Sequence, residues 1–333
     1  MAVSLEELLS KLDSSPNDLD LINEVAMAYY QNSEWVKDDE DLKFFERAYN
    51  TKKTVRTTNN LAWQLYFEYG DSERSLVILN ECLALNPSSH FPYNQIGYIQ
   101  LNLENYEEAL KYLKLAQDRS DSRDIVNNIG VAYFYLGNYD EAKSYFVKAS
   151  NLNDNENISL YNLAVTNLAL NNASETEKLL GTLVNNIKNE KFDVICSYEI
   201  ASVYSEMDCY DKATALVIEL GLDGIDVSDW PDLGYALYSV NPTLFDETIN
   251  SLIDERREWI IELDNEHEDW EDYSPAEKLE RIEELREEIK LRKSLKAKFE
   301  MGKPESKLTL FNEHCGCLLF GCEMHGNPMD DCN

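Results

Sequence analysis

Between Ser88 and Ser150 the apolar positions follow helical spacing, and they do so twice. The block SSHFPYNQIGYIQLNLENYEEALKYLKLAQ, Ser88 to Gln117, is answered one period later by DSRDIVNNIGVAYFYLGNYDEAKSYFVKAS, Asp121 to Ser150. Each block predicts a helix with a small residue at its centre (Gly97, Gly130). A turn ending in Asn-Tyr follows (Asn105-Tyr106, Asn138-Tyr139), and then a second helix carrying an alanine (Ala109, Ala142). A small residue at that point lets two helices approach closely, while the large positions fill the space between successive pairs.

Extending the frame gives units beginning near Arg56, His90, Arg123, Asn157 and Val194, at offsets of 34, 33, 34 and 37 residues. Upstream, Val25, Ala26 and Tyr29 with Phe45 and Ala48 suggest a degenerate first unit with an insertion around Ser33 to Lys37. The unit from Arg56 is looser, with Trp63 at the small position. Beyond Gly221, Leu233, Gly234 and Leu237 open a divergent pair. Helices are then expected over Thr243 to Leu263 and Ser274 to Phe299, the latter started by a Ser274-Pro275-Ala276-Glu277 capping box. Leu279, Ile282, Leu285 and Ile289 mark one face of that last helix, suited to an antiparallel hairpin or a partner helix.

The spacing resembles the tetratricopeptide repeat family, in which a W-x2-L-G-x2-Y helix is followed by A-x3-F and then P. Val126, Ile129, Gly130, Tyr133, Ala142 and Phe146 fall on those positions, as do Tyr93, Ile96, Gly97, Ala109 and Leu113. The resemblance implies an all-α fold, a right-handed α-solenoid of helix pairs with a helical hairpin cap and a short Cys-rich tail. The organisation expected is a capping helix over 1–18 and about six pairs over 19–222, with units near 19, 56, 90, 123, 157 and 194. A divergent pair and acidic hairpin cap follow over 223–300, and 301–333 forms a tail outside the repeat array.

In that family the first helices line a concave groove that binds peptides or proteins. Register alone carries the groove-facing positions onto Phe91, Asn94, Tyr98, Asn127, Phe134, Tyr135, Tyr161 and Tyr198. Such a surface of rings and amides suits an extended or helical peptide. Asn128 and Asn162 fall where the family commonly places a structural asparagine. The groove lacks the Lys and Arg cluster with which some relatives clamp a terminal carboxylate.

Charge narrows the partner classes. Sixty-three acidic against thirty basic residues leave a net charge of -33, which repels nucleic acid and anionic membranes. A basic protein is the complementary alternative, for which the chain would act as an acidic inhibitor, immunity-type protein or chaperone-like partner. The aromatic-punctuated acidic run around Trp270 and Tyr273 is one place where such a partner would dock. No leader or membrane span is evident, so a cytoplasmic location with reduced thiols is expected. No phosphate loop, nucleophile elbow or H-E-x-x-H pair occurs, and no catalytic residue is assigned.

The tail HCGCLLFGCEMHGNPMDDCN holds four of the seven cysteines and two of the four histidines. Cys315, Cys317, Cys322 and His325 offer enough soft ligands for a tetrahedral zinc, with Cys332 and His314 in reserve. The alternatives are a reduced flexible tail, redox chemistry, copper(I) capture or modification by another enzyme.

Overall fold

A computed structural model describes residues 4–31, 39–152, 157–189, 194–220, 230–265, 270, 273–305 and 308–331. Among these residues all regular structure is helical. The chain begins with α1 (Leu5–Ser14), followed by α2 (Leu19–Gln31) and α3 (Glu40–Thr51), α4 (Val55–Phe67) and α5 (Ser72–Leu83), and α6 (Phe91–Asn102) and α7 (Tyr106–Gln117). It continues with α8 (Arg123–Tyr135) and α9 (Tyr139–Ser150), α10 (Asn157–Ala169) and α11 (Ala173–Asn189), and α12 (Ser197–Glu206) and α13 (Tyr210–Leu220). The last helices are α14 (Pro231–Val240), α15 (Pro242–Asp264) and α16 (Pro275–Glu300). Each of the pairs α2–α3, α4–α5, α6–α7, α8–α9 and α12–α13 packs within itself, as tetratricopeptide-type hairpins do. None of the described helices is long and apolar enough to cross a membrane. The proposed insertion around Ser33 to Lys37 lies outside the described residues, as does most of the acidic run before Tyr273.

The repeat is visible in the backbone as well as in the sequence. One residue in the left-handed region closes the first helix of five successive pairs: Gly70, Glu104, Gly137, Asn171 and Asp208, with φ between 57° and 77°. Their spacings, 34, 33, 34 and 37, reproduce the period of the sequence. Close approach explains the small central residue. A Cβ on Gly97 would stand 2.5 Å from Leu113 Cγ, and one on Gly130 would stand 2.7 Å from the Phe146 ring.

The second unit departs from the sequence frame by one residue. Thr54 caps α4, its hydroxyl accepting the Thr57 N–H at 3.2 Å while the Thr57 hydroxyl accepts the Thr54 N–H at 3.0 Å. The helix therefore begins at Val55. This puts the fully buried Ala62, not Trp63, at the small position. The extra residue is absorbed in the turn before Asp71, which caps α5 through the Arg74 N–H.

The chain divides into two compact units, residues 1–159 with 311–333, and residues 160–310. The tail is thus not a separate appendage, since its last 23 residues belong with the N-terminal hairpins. Within the second unit α15 and α16 pair through Leu263, Ile282 and Leu285, covered by Trp259, Ile260 and Trp270. Leu279 is exposed, so the buried seam of α16 runs instead through Ile282, Leu285, Leu295 and Phe299. After α16, Lys303 donates to the Ser205 carbonyl at 2.9 Å and to Asp208 at 2.9 Å.

Candidate functional site

The fifth and sixth residues of α4 and of α8 are asparagine pairs, Asn59-Asn60 and Asn127-Asn128, and all four are fully buried. A buried amide requires partners for both its N–H and its carbonyl. Here the C-terminal tail supplies them. Asn128 Nδ2 donates to the Glu313 carbonyl at 2.8 Å and its Oδ1 accepts the Glu313 N–H at 2.8 Å. Asn60 makes the same reciprocal pair with Phe320, at 2.9 and 2.8 Å. Asn127 donates to the Phe311 carbonyl at 3.1 Å and Asn59 to the Leu318 carbonyl at 2.7 Å. Two repeats apart, the same two positions therefore grip main chain. A side-chain amide that both donates to and accepts from one residue reads the backbone and is indifferent to the side chain it carries.

Between these grips, Gln95 of α6 donates to Asn59 Oδ1 at 2.9 Å, aligning the acceptor, and Trp63 Nε1 reaches the Gly316 carbonyl at 3.4 Å. The apolar part is contributed by Leu318, Leu319 and Phe320, which join the core formed by Leu61, Leu65, Ile96 and Ile99. Phe320 lies 4.9 Å from Phe91, ring centre to ring centre. His314 sits against Phe67 at 4.9 Å and Tyr98 at 5.6 Å, and its Nδ1 accepts the Gly316 N–H at 2.9 Å. Beyond the turn at Gly321 the chain doubles back, and Asp331 accepts from the Ser88 and Ser89 N–H groups at the head of α6.

Two cations face the tail in this strongly acidic chain. Arg123 Nε donates to Glu313 at 2.6 Å, and the buried Arg56 holds Asp20 at 2.9 Å with Asp330 at 4.0 Å. Burial raises the Glu313 carboxyl above its ordinary value, and Arg123 pulls it part of the way back. Burial also lowers the His314 imidazole, with Asp124 opposing.

Of the residues expected in the groove, Phe91, Tyr98 and Asn127 meet the tail. Asn94 is buried and donates to Asp124 at 2.7 Å, linking α6 to α8. Phe134 packs on Tyr135 and Tyr139, and Tyr135 stacks on Tyr106 at 4.7 Å. Tyr161 and Tyr198 belong to the second unit, the first buried and the second stacked on Trp230. The sequence frame began α4 one residue late, which moved Asn59 and Trp63 off the groove positions, it drew the groove only from Phe91 onward, which left out Asn60, and it took Asn128 for a framework residue. The recurring Asn-Asn dipeptide was the available signal.

The tail's described cysteine sulfurs share one apolar cluster, with Cys315 and Cys322 buried in it and Cys317 packed against it. Burial pushes the Cys315 thiol well above the ordinary range. Cys315 is not among the group Cys317, Cys322 and His325, whose ligand atoms all lie within 4.8 Å of one another. The Cys322 sulfur is 3.2 Å from His325 Nδ1. Burial, with Cys322 adding to it, pushes the Cys317 thiol up to about 12. His314 is committed to its ring contacts, and Cys332 lies outside the described residues.

Residues 92–122 and 124–156 match family models described as tetratricopeptide repeat. No curated protein sequence matches the chain. Among solved structures, the anaphase-promoting-complex hetero-tetramer Cut9-Hcn1 superposes with a TM-score of 0.53 at 19% identity, covering 69% of this chain and 45% of that one. YrrB, titled a TPR protein with an unusual peptide-binding site, gives 0.49 at 17% identity, covering 56% of this chain and 95% of that one. PilF of Pseudomonas aeruginosa gives 0.49 at 14% identity, covering 70% and 96%. At 19% identity the likeness to Cut9-Hcn1 is one of fold.

Proposed function

Because the chain belongs to the tetratricopeptide repeat family, whose hairpins serve as protein-interaction scaffolds, we propose that its N-terminal unit binds extended polypeptide through the asparagine grips of α4 and α8. The tail is its resident occupant. The observation that carries this reading is the pair of reciprocal amide–backbone contacts, Asn60 on Phe320 and Asn128 on Glu313. A partner segment would compete by presenting the same features. These are extended main chain, an acidic side chain for Arg123, and two or three apolar residues at the place of Leu318 to Phe320. An acidic contact at Arg123 favours such a segment over a basic one at this surface.

The test uses a labelled synthetic peptide of residues 311–331 and a chain ending at Leu310, with circular dichroism establishing that the shortened chain is helical. The peptide should bind the shortened chain and bind the full chain much more weakly, because the tethered tail acts at high effective concentration. Asn60→Ala and Asn128→Ala should each weaken binding about tenfold or more, since each leaves a buried main-chain N–H and carbonyl without partners. A folded shortened chain that ignores the peptide, or grips that can be removed without loss, would refute the reading.

A further inference from the structure

The turn made by Cys317 to Asn327 carries the gripped residues Leu318 and Phe320 and also brings two cysteines and a histidine together. We propose that it is a binding site for one thiolate-preferring divalent cation of the zinc class, ligated by the sulfurs of Cys317 and Cys322 and an imidazole nitrogen of His325.

Three observations converge on it. The first is proximity. In a tetrahedral site with sulfur at about 2.3 Å and nitrogen at about 2.0 Å from the metal, ligand atoms stand roughly 3.5 Å apart. The three here already lie within 4.8 Å, with Cys322 Sγ and His325 Nδ1 at 3.2 Å. A contraction of at most about 1.3 Å, with Cys322 Sγ and His325 Nδ1 moving slightly apart, completes the geometry.

The second is that the turn is closed independently of the cation. Gly321 at φ +82° and Gly326 at φ +65° take the backbone through conformations that a side chain would resist. The Gly321 N–H reaches the Pro328 carbonyl at 2.7 Å, and the Asn327 N–H reaches the Cys322 carbonyl at 3.0 Å. The Asn327 side chain ties the Cys317 and Leu319 carbonyls, at 2.8 and 3.0 Å.

The third is the surroundings of the sulfurs. The Gln31 amide nitrogen stands 3.9 Å from Cys322 Sγ and within donor reach of it, and the Asn327 amide nitrogen lies 3.7 Å from Cys317 Sγ while its two N–H groups serve the Cys317 and Leu319 carbonyls. An outer donor such as Gln31 suits a thiolate held by a metal. Cys322 is buried while His325 is exposed, so a cation enters from the histidine side. On binding, each cysteine loses its proton to solvent, and two thiolates neutralise a divalent ion. Three protein ligands leave the fourth position to water. The set differs from the four-ligand set suggested by spacing, because Cys315 is not among the ligand atoms that lie within 4.8 Å of one another.

A cation here would brace the already closed turn adjoining Phe320, the residue that Asn60 grips, and so help retain the tail in the groove. That consequence rests on the proposed function, whereas the site itself does not. The experiment uses the full chain, purified under reductant, stripped with chelator and titrated with Zn2+ alone against a chromophoric competitor, with native mass spectrometry for stoichiometry. One Zn2+ per chain is expected. Cys317→Ser, Cys322→Ser and His325→Ala should each weaken binding at least tenfold, and Cys315→Ala should not. Co2+ in place of Zn2+ should give thiolate-to-metal charge-transfer absorption that Cys317→Ser and Cys322→Ser each diminish. Circular dichroism verifies that each variant is folded. Absence of metal from the folded, reduced protein overturns the site, as does affinity that survives all three substitutions or depends equally on Cys315. Hydrogen exchange of the tail with and without Zn2+ reads the consequence separately: Zn2+ bound with unchanged tail exchange leaves the site standing and refutes the link to tail release.

Discussion

His314 is the residue through which pH should act on the groove. Its Nδ1 accepts the Gly316 N–H while its ring packs on Phe67 and Tyr98, so a proton on that nitrogen removes the acceptor and buries a charge. Because burial holds its pKa below the ordinary 6.5, its contribution to docking is complete above pH 6.5 and is lost as the pH falls from 6.5 through the docked value. Glu313 runs the other way. Its raised carboxyl makes the docked state the better proton acceptor, so its contribution grows as the pH falls. Peptide 311–331 titrated onto the shortened chain from about pH 8 to about pH 5.5 should separate the two. The wild-type peptide should weaken severalfold below pH 6.5, and a His314→Gln peptide, which keeps an acceptor but no titration, should not. Equal pH profiles for the two peptides would remove His314 from the account.

Among the described elements, the contact between α8 and α9 is one of the two close approaches that require a glycine. A methyl on Gly130 would stand 2.7 Å from the Phe146 ring, which is fully buried. Gly130→Ala should therefore cost about 1–3 kcal/mol in urea denaturation, although alanine is the better helix former. The helix pairs were legible in the sequence for the same reason: a small residue opposite a large one, recurring at a period of 33 to 37 residues, leaves a signature that no tertiary knowledge is needed to read. The start of α4 was not, because a Thr54–Thr57 cap without a following Glu or Gln gives little signal and Trp63 occupies the place next to the small position. One residue of slip turns each face of a helix by about 100°, enough to exchange Asn60 and Trp63 between core and groove in any register argument.

For the whole molecule, the decisive contacts join residues 184 to 260 positions apart, from Asn127–Phe311 to Asn60–Phe320. Helical periodicity says which residues share a face and carries no information on which distant segment will lie against it. What the sequence did hold was the pair of Asn-Asn dipeptides, the apolar Leu318-Leu319-Phe320 among the cysteines, and an arginine, Arg123, beside the second dipeptide. A tethered segment that satisfies buried amides is a standing competitor for any external one, so partner binding to this scaffold should depend on whatever releases the tail.

The most direct measurement is hydrogen exchange by mass spectrometry on the full chain, comparing the wild type with the Asn60→Ala, Asn128→Ala double variant. The amides of Glu313 and Phe320 are held by those two side chains. The wild type should protect the peptides spanning 311–323, and the double variant should lose that protection while α6, α7 and α9 exchange as before. A tail that exchanges freely in the wild type, or that stays protected in the variant, would contradict the account.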